Sequence, residues 1–160
     1  RRHVRGDEVE FDRDVVCHPG AVVILAIDQH GRAGLLRQYR ATFDTINWEL
    51  PAGTCDVKDE VPLRTAQREL EEELGVVSSE WKLLHVTQIS PGWTNQITWL
   101  FQADNVRSTN PAPVGPEEEN MERHWLTKKQ ARDLLSSGTA LETTLTIALL
   151  HFTGDVNSHS

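Results

Sequence analysis

Four glutamates and an arginine crowd one short stretch, Arg68-Glu69-Leu70-Glu71-Glu72-Glu73. On an α-helix, residues three and four apart share a face, so Glu69 and Glu73 lie together with Glu72 beside them, and Arg68 sits one turn before Glu72. Carboxylates held that close repel one another. A hard divalent cation relieves the repulsion and takes oxygen ligands, and Arg68 is placed to orient one carboxylate through a two-pronged hydrogen bond. The chemistry this would support is metal-assisted hydrolysis of an anionic substrate. Composition alone does not decide the matter, because a glutamate-rich helix is most often a solvated face.

The wider spacing decides it. Six residues separate Gly53 from Glu60 and seven separate Glu60 from Arg68, and the stretch then reads Arg68-Glu69-Leu70-x-Glu72-Glu73-x-Gly75-Val76. This resembles the Nudix box, G-x5-E-x7-R-E-U-x-E-E-x-G-U with U aliphatic. Every named position from Glu60 onward matches. The one departure is an extra residue in the loop after Gly53, where an insertion is readily absorbed. The resemblance implies an α/β (α+β) Nudix fold, with a mixed β-sheet between helices and the box as a loop–helix–loop. It implies Mg²⁺ (or Mn²⁺) held by Glu69, Glu72 and Glu73. Glu60 would contribute through water, hold the loop, or simply set a favourable charge at the helix N-terminus.

Three further segments resemble the ADP-ribose pyrophosphatase branch of that family. Trp48-Glu49-Leu50-Pro51-Ala52-Gly53 is similar to its W-E-L-P-A-G entry, which implies the Ala52 carbonyl as a metal ligand. Gln38-Tyr39-Arg40 matches a Q-Y-R strand, with Tyr39 read as core and Arg40 as a substrate or dimer contact. Pro91 stands fifteen residues beyond Val76, in Ser90-Pro91-Gly92-Trp93-Thr94-Asn95-Gln96, which resembles S-P-G-F-S-D-E with Asn95 and Gln96 replacing acids. Gly92 and Trp93 follow from it as substrate contacts. Trp48 is the first choice for stacking on adenine and Trp93 the second. The catalytic acid of the branch sits on a late loop, here Gly115-Pro116-Glu117-Glu118-Glu119. Glu118 is favoured as the base, with Glu117 and Glu119 as alternatives. The implied reaction is hydrolysis of ADP-ribose to AMP and ribose 5-phosphate. The alternative is another nucleoside diphosphate sugar, such as a GDP- or UDP-sugar. A non-catalytic Nudix ligand-binding module should have lost box glutamates, and this chain keeps them. A homodimer is implied as well, through N-terminal strands that help complete the partner's site.

These residues need a scaffold. The apolar run Ala21–Ile27 reads as a buried strand, Asp28-Gln29-His30-Gly31 as a turn and Gly34–Arg40 as the paired strand. Pro62 suits a first helical turn, Leu63, Ala66, Leu70 and Leu74 form one apolar stripe, and Gly75 is a helix stop. Strands are expected over 81–89, 97–103 and 122–126, with a loop over 104–120. Thr127-Lys128-Lys129-Gln130 has the form of a capping box, opening a helix to about Ser136, and a second helix is expected from Leu141 to Phe152. The domain reading is an N-terminal strand or dimerisation remnant at 1–14, a Nudix domain at 15–153 and a disordered tail at 154–160. The Arg1-Arg2-His3 start has no Met, so a trimmed start is expected.

At 160 residues, 38% hydrophobic and 25% charged, the chain suits one globular domain. A net charge of -8 argues against a nucleic-acid backbone binder. A bound cation can still reverse the local sign for an anionic small molecule. Cys17 and Cys55 are too few for a disulfide framework, which points to the cytoplasm. No apolar run approaches a membrane span.

Overall fold

The computed structural model describes residues 1–5, 9–109 and 121–154. The strands are β1 (Arg2–Arg5), β2 (Glu10–Arg13), β3 (Ala21–Asp28), β4 (Ala33–Arg40), β5 (Thr45–Glu49), β6 (Ala52–Thr54), β7 (Val76–Val77), β8 (Glu80–Gln88), β9 (Ile97–Ser108) and β10 (Glu122–Leu126). The helices are α1 (Pro62–Glu69), α2 (Lys128–Leu135) and α3 (Thr143–Thr153).

Side chains alternate between the two faces of a strand, and that period builds the layers. Val22, Ile24 and Ala26 of β3, Leu36 of β4, and Phe101 and Ala103 of β9 pack on one face with Ala66, Leu70 and Leu74. Leu25 of β3, Ala33 and Leu35 of β4, and Leu100 of β9 pack on the other with Ala131, Leu145, Ala148, Leu149 and Phe152. One mixed sheet therefore lies between α1 and the α2–α3 pair, as the sequence implies. Its order is β10-β4-β3-β9-β7, with β3 and β9 parallel, β5 beside β4, β6 beside β3 and β8 beside β9.

The centre of this sheet splits. Strands β3 and β4 pair only at Ala26↔Gly34 and Ile27↔Ala33, next to their connecting turn. Farther along, β3 takes β6 as its neighbour, with Val23 opposite Ala52. Strand β4 takes β5, with Arg37 opposite Trp48. The parting leaves a cleft between the two pairs.

Several local expectations need correcting. The box helix is α-helical only to Glu69 and continues as a π-helical turn over Leu70–Leu74, ended by Gly75 at φ 69°. Apolar residues four apart fit either winding, so the stripe could not distinguish them. Ala52–Thr54 is a strand rather than the start of a loop, because β3 offers it a free edge. Strand β9 continues through 104–108, where a loop was expected. Buried Ala103 and Val106 anchor it, and Val76 and Val77 pair with Ser108 and Arg107. Asn105 absorbs the irregularity at φ 52°, a conformation Asn tolerates. The capping box on α2 forms as read, with Gln130 N–H donating to Thr127 Oγ1 at 3.3 Å and Thr127 N–H to Gln130 Oε1 at 2.9 Å. Helix α3 starts two residues later than Leu141, because Glu142 accepts from Leu145 N–H at 2.8 Å and caps it. The N-terminal segment forms a separate two-stranded sheet, β1–β2, whose residues are all exposed.

Where α3 meets β8, the His151 and His85 rings stand 6.4 Å apart, nearly perpendicular. Burial first, then the positive neighbours His85 and Lys82, push the His151 pKa below its ordinary value, against the opposing pull of Asp104. The folded chain therefore holds fewer protons there than the unfolded one. Stability from this site is present above the unfolded value of about 6.5 and is lost as pH falls from there through the lower folded value. Partial exposure screens the effect. The thermal midpoint should drop by about 1–2 °C more in the parent chain than in His151→Gln between about pH 7.5 and about pH 5.5. Equal slopes in the two proteins would remove His151 as the cause.

Candidate active site

Backbone geometry gathers the box residues. Strand β6 runs past the end of α1 closely enough that Ala52 N–H donates to Glu73 Oε2 at 2.8 Å. The next residue, Gly53, leaves no room for a side chain beside Glu69: a Cβ there would lie 2.2 Å from Glu69 Cδ and 2.3 Å from its Cγ and Oε1, so the Glu69 side chain or the strand would have to shift. Arg68 stands among three carboxylates. Its Nη1 donates to Glu69 Oε1 at 2.6 Å and to Glu72 Oε2 at 3.2 Å, and its Nη2 to Glu60 Oε2 at 3.5 Å. Burial works against its charge, but Glu69, Glu72 and Glu60 more than offset this and hold its pKa above the ordinary arginine value.

Exposure separates a solvated face from a built site. The Glu69 side chain is 14% exposed and that of Glu72 27%, whereas Glu71 points into solvent. Glu60 is held by the hydroxyl of fully buried Thr65, which donates to Glu60 Oε2 at 2.8 Å. Its bonds are those of a residue that ties the box loop to the helix. Cys55 lies half-buried in that loop, and burial, followed by the acidic charges of Glu60, Asp56 and Glu69, keeps its thiol above the usual range despite an opposing hydrogen bond from Thr65. It stays protonated and is no competitor of the carboxylates.

The split in the sheet gives the substrate-sized space. A cleft of about 810 Å³ is lined by Ala21 and Val23 of β3, Arg40 of β4, residues 45–49 of β5, Ala52, Gln96, Thr98 and the 139–144 segment leading into α3. Ala52 is where cleft and glutamate helix meet, since it lines the one and donates to Glu73 of the other. Arg40 lies in the cleft and makes a two-pronged pair with Glu49, at 2.7 and 2.5 Å. Trp48 lines the cleft, yet its ring already meets the edge of His124 at 5.0 Å and the Arg37 guanidinium at 5.4 Å. Trp93 is 57% exposed, and Gly92 has open space around it; neither lines the cleft. Their loop instead holds the segment before β3: Val16 N–H donates to Trp93 O at 2.8 Å and His18 N–H to Asn95 Oδ1 at 2.9 Å. Glu117, Glu118 and Glu119 lie outside the described residues.

Comparison with known proteins agrees with this geometry. The NUDIX domain model matches residues 18–149. The chain belongs to the Nudix family. This Nudix chain is 39% identical over 113 residues to the ADP-ribose pyrophosphatase of Mycobacterium tuberculosis, a match covering 71% of the chain and 55% of that protein. The chain thus spans little more than half the length of that relative. It is 33% identical over 125 residues to the ADP-ribose pyrophosphatase of Bacillus subtilis, covering 78% of the chain and 67% of that protein. A crystal structure titled ADP compounds hydrolase superposes with a TM-score of 0.71 at 18% identity, covering 88% of the chain and 75% of its own, which speaks for the fold.

Two residues with evident roles at this Nudix site carry no sequence signal. Thr65 falls in an unspecified position of the box, and Arg123 reaches the helix from β10. Its Nε donates to Glu73 O and its Nη2 to Glu72 O at 3.4 Å.

Proposed function

We propose that the chain is a divalent-metal-dependent hydrolase that cleaves the pyrophosphate bond of ADP-ribose to AMP and ribose 5-phosphate. The observation that carries this reading is the junction at Ala52, where a substrate-sized cleft ends against the Nudix glutamates. The two pyrophosphatase relatives give the substrate its support.

The donor set fits a hard cation. Glu69, Glu72, Glu73 and the Ala52 carbonyl are all oxygen donors, and the one thiol nearby is protonated. Among the described residues no three His, Cys, Asp or Glu side chains converge on a single point. Arg68 instead supplies positive charge between Glu69 and Glu72, so these two carboxylates would exchange part of that pairing for Mg²⁺ or Mn²⁺. A cation held by Glu69, Glu72, Glu73 and the Ala52 carbonyl would supply charge against the pyrophosphate and would lower the pKa of bound water. The chain's own residues do the rest. Arg68 holds Glu69 and Glu72 in position, Ala52 N–H holds Glu73, and Thr65 keeps the loop in place through Glu60. A glutamate of 117–119, Glu118 first, takes a proton from water as the water oxygen bonds to one phosphorus and that phosphorus's bond to the bridging oxygen breaks, the electron pair leaving on the phosphate of the other product. Arg40, Trp48 and the cleft walls receive the nucleoside, whereas Trp93 and Gly92 stand off the cleft on the loop that holds the segment before β3.

Gln96, a neutral amide lining the cleft, is what keeps other nucleoside diphosphate sugars as the second reading. The exposed β1–β2 sheet supports a homodimer, and two free thiols support a cytoplasmic setting. Among the described residues no helix is long and apolar enough to cross a membrane.

Phosphate freed by added alkaline phosphatase, which acts on the AMP, ribose 5-phosphate or hexose phosphate formed and not on the intact diphosphates, tests the substrate across ADP-ribose, GDP-hexoses and UDP-hexoses. ADP-ribose should lead in kcat/KM by at least about tenfold, a 1.4 kcal/mol preference. Faster turnover of a GDP-hexose would replace ADP-ribose but keep the hydrolase. Light scattering on the same sample should give twice the 18.1 kDa chain mass; a monomeric mass removes the dimer.

A further inference from the structure

We infer that Arg123 is a positioning residue for the glutamate cluster: it clamps the backbone of the π-helical turn carrying Glu72 and Glu73 to β10, and so sets the affinity of the metal site. This rests on the metal site proposed above.

The last carbonyls of a helix have no partner within it and carry partial negative charge. Here the carbonyls of Glu72 and Glu73 belong to the side chains that matter most. Arg123 comes from fifty residues away in sequence and binds both, Nε on Glu73 O and Nη2 on Glu72 O. A guanidinium fork fixes both position and orientation, which a single ammonium cannot do. At the C-terminal end of the turn Gly75 N–H donates to Glu71 O at 3.0 Å, and Arg123 takes up the next two carbonyls.

The sheet beneath is shaped for this contact. Strand β10 pairs with β4, Arg123 opposite Leu36 and Trp125 opposite Gly34. A Cβ on Gly34 would lie 2.7 Å from Leu74 Cδ1 and 3.1 Å from the Trp125 ring. The missing side chain lets the π turn settle onto β4 and β10, within reach of Arg123. On the other side, Ala52 N–H holds the Glu73 carboxylate. Glu73 is thus gripped twice, through its side chain by β6 and through its backbone by β10.

Mn²⁺ binding, read by electron paramagnetic resonance without substrate, tests this alongside kinetics. Arg123→Ala should bind Mn²⁺ roughly 10-fold more weakly. Its kcat should fall by a similar factor, with KM for the nucleotide and the thermal midpoint little changed. Arg123→Lys, which keeps the charge and loses the fork, should recover only part of the affinity. Glu73→Gln serves as the control. If Glu73→Gln loses Mn²⁺ and Arg123→Ala binds it as the parent does, the positioning role is wrong and the metal site stands. If neither variant loses Mn²⁺, the metal site itself is wrong and this inference falls with it. Should Arg123→Ala fail to fold, Arg123→Gln, which keeps the stem, decides by the same two measurements.

Discussion

Glu73→Gln lowers kcat by roughly a thousandfold or more and leaves the fold intact. The substitution is nearly isosteric. The glutamine oxygen can still accept from Ala52 N–H, which Glu73 now does at 2.8 Å, so the tie between β6 and the π turn survives. What disappears is one negative charge from a cluster in which Arg68 pairs with Glu69 and Glu72. With Glu73 neutral, Arg68 offsets a larger share of the acidic charge left on Glu69 and Glu72, and these hold a divalent cation more weakly. The cation's share of transition-state stabilisation is several kcal/mol, and about 4 kcal/mol corresponds to that loss of rate. Glu71→Gln is the matched control. Glu71 sits on the same turn but faces solvent, and its variant should retain the parent rate to within about twofold. Steady-state kinetics at one fixed Mg²⁺ concentration that just saturates the parent, with melting curves for each protein, make the comparison. Parent-like turnover in Glu73→Gln would remove Glu73 from the metal site, and equal losses in both variants would return the helix to a merely acidic face.

The contrast between Glu71 and Glu73 shows what a sequence can carry here. Spacing identified the face, because residues three and four apart meet on any helix and the box fixes which positions recur. The Gly75 stop was legible for a like reason, since a φ of 69° favours glycine. So were the Thr127 capping box and the buried strand β3, whose causes are local. The π-helical winding was not legible: it is a choice of hydrogen-bond partner and leaves no mark on residue type. Nor was Arg123, which acts on main-chain oxygens that every residue possesses. Strand β6 was too short for alternation to appear. The sequence ranks Trp48 ahead of Trp93 as a stacking ring without saying where either sits, and their surroundings differ. Trp48 lines the cleft against Arg37 and His124, and Trp93 stands on a loop that pins the chain before β3. Such distinctions depend on which strands part and which stay paired, and only the folded sheet decides that.

Gly53→Ala should be the most damaging single methyl group in the site. Its Cβ would arrive 2.2 Å from Glu69 Cδ, so something must move. Two things can. Strand β6 could lift away from β3, giving up the pairing of Val22 with Gly53 and of Ala52 with Val23, along with the bond from Ala52 to Glu73. Alternatively Glu69 could swing aside, giving up its 2.6 Å bond to Arg68. The second costs less, since it breaks one charged contact of a partly exposed arginine rather than a run of ladder bonds. The expected result is a disproportion: kcat falls by at least about tenfold, as for loss of a ligand-orienting contact, and the thermal midpoint drops by only about 2–4 °C. A double-mutant cycle with Glu69→Ala identifies what yields. Once that side chain is cut back, the three atoms nearest the added methyl are gone and it should cost far less further stability, a coupling expected of residues in contact. If Gly53→Ala destabilises Glu69→Ala as much as it does the parent chain, the strand is what gives way. Gly53 would then serve the β3–β6 pairing and not the placement of the carboxylate.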